Sequence, residues 1–206
     1  MIIKICGITR AEDADHAARA GADWIGLNLW PRSRRHVEPE LAAEVAAAAR
    51  AARPGVRLVG VFVDEEPERI EEMTALLQLD FVQLHGDESP EVTARFGARA
   101  IKALAVAQEV DVERIAAYGC STFLVDTPTA GRGGSGVVGD WALARRAAAL
   151  RPVLLAGGLT PDNVAAAVAA VGPFGVDVAS GVERAPGVKD AALVERFIAE
   201  ARRAAP

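Results

Sequence analysis

Cysteine and histidine are scarce in this chain of 206 residues, which has two of the first and three of the second. Cys6 and Cys120 lie far apart, which excludes a disulfide framework and the clustered spacing of a metal centre. Two isolated thiols suit a reducing compartment, and a cytoplasmic location is expected. His16, His36 and His85 show no His-x-x-x-His spacing, so no metal site is expected. Long apolar runs are also missing. None approaches the roughly 18 residues of a membrane-spanning helix, and the apolar stretch at residues 1–5 is too short for a secretion signal. Nor is there an excess of positive charge. Lys and Arg number 23 against 28 Asp and Glu, a net charge of −5. That balance gives no reason to expect nucleic acid or an anionic membrane as partner.

What is present is an ordinary globular composition, 51% hydrophobic and 25% charged. Short apolar runs alternate with longer amphipathic, alanine-rich ones. The apolar runs fall at residues 2–5, 24–29, 58–63, 81–84, 100–105, 122–125, 152–156 and 175–179. Helical stretches are expected at 11–20, 39–53, from 67, from 90, 112–118, 141–150, 161–171 and 191–203. Gly21 suits a helix C-terminus, and prolines at 67 and 90 suit first turns. Eight strand–helix units with no linker between them predict one α/β domain over residues 1–206. Its expected form is a parallel, closed eight-stranded (β/α)8 TIM barrel. An open doubly wound sheet is the alternative, but no strand is followed by a Gly-x-Gly-x-x-Gly turn.

Polar side chains interrupt the apolar strands. Lys4 shares a strand face with Cys6, and Gln83 shares one with His85. With helices covering the outside of the sheet, Lys4, Gln83, Lys102 and Asp177 should point into the barrel and pair with one another. Cys6, His85 and Asp126 then stand at the carboxyl ends of strands 1, 4 and 6, the end where barrels of this kind build active sites.

Each of these features has a plainer reading. A carboxylate ending the run Phe123-Leu124-Val125-Asp126 is either a turn cap or a working group. Cys6 before Gly7 is either a small buried hydrophobe or a base. The pairs Gly157-Gly158 and Ser180-Gly181 are either tight turns or the phosphate site that the loops after strands 7 and 8 commonly form. The basic loop at residues 32–36 is mostly a solvated face, but one of its arginines is placed to hold a carboxylate.

Several motifs together resemble one family, phosphoribosylanthranilate isomerase of tryptophan biosynthesis. They are Lys4-Ile5-Cys6-Gly7-Ile8-Thr9, Pro31-Arg32-Ser33-Arg34-Arg35, Gln83-Leu84-His85-Gly86, Leu124-Val125-Asp126, Gly133-Gly134-Ser135-Gly136, Ala156-Gly157-Gly158-Leu159, and the stretch from Val176 to Glu183. The resemblance implies an Amadori rearrangement of N-(5-phosphoribosyl)anthranilate to 1-(2-carboxyphenylamino)-1-deoxyribulose 5-phosphate. It implies Cys6 as general base, Asp126 as general acid and Arg35 on the anthranilate carboxylate. It implies phosphate binding at Gly157, Gly158, Ser180 and Gly181, with His85 and Asp177 also at the substrate. Asn28, flanked by Leu27 and Leu29, replaces a phenylalanine-rich pattern and is expected to alter the wall near the anthranilate ring. The partner is a small-molecule substrate, and the expected state is a monomer or homodimer. No cofactor is expected, because the rearrangement involves no net redox change. The histidine-pathway aminoaldose isomerases share the reaction type, but they use aspartate as base where this chain has Cys6.

Overall fold

The structure is a computed structural model that describes residues 1–126 and 141–205. The glycine-rich stretch at 131–136 lies outside the described residues. Eight parallel strands close into a barrel in chain order: β1 (Ile2–Cys6), β2 (Trp24–Asn28), β3 (Arg57–Phe62), β4 (Phe81–Leu84), β5 (Ala100–Ala105), β6 (Thr122–Asp126), β7 (Val153–Ala156) and β8 (Gly175–Val178). Closure is made by β1, which pairs with β2 on one side and β8 on the other. Between the strands run α1 (Ala11–Ala20), α2 (Pro39–Ala52), α3 (Pro67–Leu77), α4 (Pro90–Arg95), α5 (Glu109–Arg114), α6 (Trp141–Leu150) and α7 (Val164–Val171), and α8 (Ala191–Ala204) follows β8.

The helices begin and end where local chemistry directs. Proline occupies the first turn of α2, α3 and α4, where its missing N–H costs nothing. Ser89 and Asp190 cap α4 and α8 by accepting from Val92 N and Leu193 N. Gly21, at φ 105°, ends α1 in a left-handed conformation. Three elements depart from the sequence expectation, one of them α7, which starts at Val164, three residues later than expected. α5 starts three residues earlier than expected, because Gln108 and Asp111 form a reciprocal capping box. The loop after β8 also contains a small antiparallel pair, β9 (Glu183–Ala185) and β10 (Val188–Lys189). Two- and three-residue strands carry too little alternation to be read from sequence.

The core has two layers. Inside the barrel lie Trp24, Val59, Ile101, Ala103, Leu124, Leu154 and Ala156. A larger apolar layer fills the space between strands and helices. At the amino-terminal end of the barrel, Trp24 stacks on Phe81 with ring centroids 4.4 Å apart and meets Phe174 edge-on at 6.4 Å. This end is therefore an apolar floor. Alternation along the strands leaves the polar inner positions at the opposite end.

Candidate active site

Cys6 is the last residue of β1, Asp126 the last of β6, and His85 follows β4 directly. All three stand at the carboxyl-terminal mouth, as the strand reading requires. Lys4 lies one inner layer below Cys6 and is fully buried. It is in direct register with Asp177 on β8, and its ammonium donates to Asp177 Oδ1 at 2.8 Å. Lys4, Gln83 and Asp177 thus point into the barrel as expected. The Gln83 amide sits 2.8 Å from His85 Nδ1. With the amide donating, the ring proton rests on Nε2.

Lys102 is a correction. Its strand neighbours Ile101 and Ala103 belong to the inner layer, so Lys102 turns outward and is buried between sheet and helices. Its ammonium donates to Glu88 Oε2 at 2.7 Å and to the carbonyls of Leu84 and Gly86, and lies over the Tyr118 ring. The expectation rested on the rule that outward positions are apolar. Glu88, three residues beyond His85, supplies the compensation that rule did not foresee. Glu88 also accepts from the backbone N–H groups of Asp64 and Gly86. The Lys102–Glu88 pair therefore fastens the carbonyls on both sides of His85. Gly86 is needed here, since a Cβ would fall 2.2 Å from Asp64 Oδ1. Sequence reasoning gave Glu88 no role, and the signal was the lysine inside the apolar run 100–105.

Burial and neighbouring charge set the protonation of the mouth. Burial pushes the Asp126 carboxyl above its ordinary range, Asp177 adds to this, and His85 opposes it. Burial pushes His85 down, so a neutral imidazole predominates near neutral pH despite Asp126 nearby. Burial also raises the Cys6 thiol, against the pull of the Lys4 ammonium. His85 and Asp126 share the wall of a cleft of about 380 Å³ with Asp64, Asp87 and Arg114.

The basic loop delivers Arg35 to the other side of the mouth. Its Nε and Nη2 donate to both Glu183 oxygens at 2.8 and 2.7 Å, a bidentate pair made within the chain. The sequence expectation did not include this partner. Lys189 completes the cluster, donating to Glu183 Oε1, the Cys6 carbonyl and the Ala179 carbonyl. The small strands β9 and β10 set Glu183 opposite Lys189. Burial pushes Glu183 up, but Arg35 and Lys189 together hold it below the usual carboxylate range. Arg34, Arg35, Ser180, Glu183 and Arg184 line a neighbouring cleft of about 590 Å³.

The loops after β7 and β8 pack on each other. Gly157 and Gly158 take positive φ values of 91° and 63°. A side chain at Gly181 would collide with the Leu159 carbonyl, 1.8 Å from its Cβ position. Asn163 Oδ1 accepts from Thr160 N while its amide donates to the Gly158 carbonyl, which fixes the turn before α7. Gly158 and Ser180 are exposed at this junction. Leu27 and Leu29 belong to the layer beneath the helices. Asn28 alone of the three faces inward, where its side chain accepts from Trp30 N. The expected change in the ring wall therefore falls on Asn28 and not on its leucine neighbours. Cys120 is buried away from the mouth, its thiol against the Thr122 carbonyl. Among the described residues no group of His, Cys, Asp and Glu is arranged to hold a metal ion.

Comparison with known proteins gives one consistent result. A family model described as N-(5'-phosphoribosyl)anthranilate (PRA) isomerase matches residues 3–200. The N-(5'-phosphoribosyl)anthranilate isomerase of Magnetococcus marinus is 47% identical over 203 residues, which span 98% of this chain and 95% of that one. The crystal structure of phosphoribosyl anthranilate isomerase from Thermotoga maritima has a TM-score of 0.89 at 41% identity, covering 98% of this chain and 100% of that one. A phosphoribosyl anthranilate isomerase in complex with reduced 1-(o-carboxyphenylamino)-1-deoxyribulose 5-phosphate has a TM-score of 0.83 at 39% identity, with 98% and 100% coverage.

Proposed function

The chain belongs to the phosphoribosylanthranilate isomerase family of tryptophan biosynthesis, and from that premise we propose that Cys6 and Asp126 are its base and acid in the Amadori rearrangement of N-(5-phosphoribosyl)anthranilate. Asp126 protonates the ribose ring oxygen, and the ring opens to a Schiff base. The Cys6 thiolate removes the proton from C2, giving an enolamine. Tautomerisation of the enolamine yields 1-(2-carboxyphenylamino)-1-deoxyribulose 5-phosphate. The protonated imine carbon accepts the electrons of the C2–H bond, so the substrate supplies its own electron sink.

One observation carries this reading. A thiol and a carboxyl enter the same barrel mouth from strands 1 and 6, and burial holds the carboxyl toward its protonated form. Neutral His85 lines the cleft beside the acid and is suited to hydrogen-bond a sugar hydroxyl. The glycine-bearing junction of the β7 and β8 loops, at Gly157, Gly158, Ser180 and Gly181, is suited to the phosphate. Arg35 then serves the anthranilate carboxylate, with Glu183 fixing the plane of its guanidinium. Asp177, with Oδ1 occupied by Lys4, acts from beneath the substrate.

The test is steady-state turnover of Cys6→Ser and Asp126→Asn beside binding of the reduced product analogue. Each variant should lose about 10²–10⁴-fold in kcat, the usual worth of a positioned proton transfer, while analogue binding persists. Full turnover by either variant removes that residue from its role, and His85 becomes the first substitute to examine.

A further inference from the structure

A buried ammonium joins the thiol to a carboxylate inside the barrel. Lys4 and Cys6 are two residues apart on β1 and turn to the same inner face. The Lys4 ammonium donates to Asp177 Oδ1 at 2.8 Å, and its positive charge pulls on the Cys6 thiol from the same inner face. Across from Cys6, β2 presents Gly26. A Cβ there would lie 2.8 Å from Cys6 Sγ and 3.2 Å from Lys4 Nζ. The backbone of Gly26 has no positive φ that would call for glycine. A side chain there would press on both the thiol and the ammonium. A buried ion pair in a barrel interior is a weak source of stability, because apolar side chains of like volume serve as well or better. This pair therefore calls for a role in the chemistry.

We propose that Lys4, held by Asp177, is the positioning residue and counter-cation of the Cys6 thiolate, and that Gly26 keeps open the space that the two groups border. The proposal rests on Cys6 being the base. In the proton transfer the C2–H bond breaks, an S–H bond forms, the C2 electron pair becomes the C1=C2 double bond, and the C1=N π pair moves onto the protonated imine nitrogen. Lys4 keeps its proton throughout. Burial lowers Lys4, but Asp177 and Cys6 together hold it above the ordinary lysine range. Three other charged groups act on the thiol: Asp177 from β8, Lys189 from β10 and Arg35 from the loop after β2. Lys189 and Arg35 both spend their charge on Glu183. Lys4 shares the inner face of β1 with the sulfur and pulls on it more strongly than Lys189 does.

The test reads the thiol directly, as the pH dependence of Cys6 alkylation by iodoacetamide in unliganded protein carrying Cys120→Ser. Lys4→Met should move the midpoint up by roughly 1–3 pH units, the usual effect of losing an adjacent opposite charge. Gly26→Ala keeps both charges, pushes them apart, and should move the midpoint in the same direction by less. Lys4→Met with Asp177→Asn removes the pair together and should leave the midpoint above that of the parent. Should Lys4→Met not fold, Gly26→Ala decides the matter. An unmoved midpoint in a folded Lys4→Met or Gly26→Ala protein overturns the proposal while leaving Cys6 as base. Full turnover by Cys6→Ser, in contrast, overturns the base reading and the role of Lys4 with it.

Discussion

The two ends of the barrel are built from the same eight strands and have opposite characters. The floor is closed by Trp24 stacked on Phe81, with Phe174 at its edge and Ile2 alongside. The mouth holds Cys6, His85 and Asp126, with the buried Lys4–Asp177 pair in the layer beneath. Strand polarity sorts them, because an inner residue early in a strand packs and an inner residue late in a strand faces ligand. The cost of burying charge is confined to one end, and the other end supplies the apolar burial that offsets it. A substitution should therefore affect stability or chemistry according to its height in the barrel.

The sharpest way to break this division is at the floor. Trp24→Ala removes a buried ring and should cost about 3–5 kcal/mol of unfolding free energy, read by urea denaturation. The kcat/KM of the fraction still folded should stay close to that of the parent. A specific loss of kcat in folded protein would mean that the floor shapes the mouth.

Arg35 tests the rim. With Nε and Nη2 held by Glu183, Arg35 would meet the substrate carboxylate through its remaining N–H groups, and truncating one partner of a buried hydrogen-bonded charge pair costs on the order of 2–5 kcal/mol. Arg35→Ala should accordingly raise KM strongly, and Arg35→Lys should recover little of it, since an ammonium does not reproduce the fork. If Arg34→Ala does the greater damage, the neighbouring arginine is the carboxylate ligand.

Glu183 sharpens the comparison through pH. Its carboxyl is held low in the folded state by Arg35 and Lys189. A carboxyl held low contributes stability above its unfolded value, and that contribution disappears as pH falls through the folded value. Glu183→Gln should therefore be less stable than the parent at pH 7, and the gap should narrow below about pH 4, near where a free carboxyl titrates. Urea midpoints across pH 3–7 measure this. A gap independent of pH would show that Glu183 acts by packing alone.

The barrel itself was legible because its signal is repetitive. Eight apolar runs separated by amphipathic ones leave few topologies, and strand alternation placed Cys6 and His85 on inner faces at the correct end. Asp177 was legible as an inward carboxylate for the same reason. Lys102 was not, because period-two alternation says which residues share a face but not which face turns inward. That choice depended on Glu88, whose position on a loop has no periodicity. The Arg35–Glu183–Lys189 cluster was hidden because it joins residues up to 154 positions apart through a hairpin too short to leave a pattern. The resemblance to a known family supplied roles for Cys6, Asp126 and Arg35. It gave no indication that the Arg35 fork has a partner of its own.

The most direct measurement of the base–acid assignment is the pH profile of kcat/KM for the parent enzyme and for the residual activity of each mouth variant. The parent should give a bell whose two limbs belong to the Cys6–Asp126 pair jointly. An enzyme without its acid needs only the thiolate, so Asp126→Asn should keep the rise with pH and lose the alkaline fall. Cys6→Ser should lose the rise and keep the fall. A bell that survives intact in either variant would contradict the assignment of that residue.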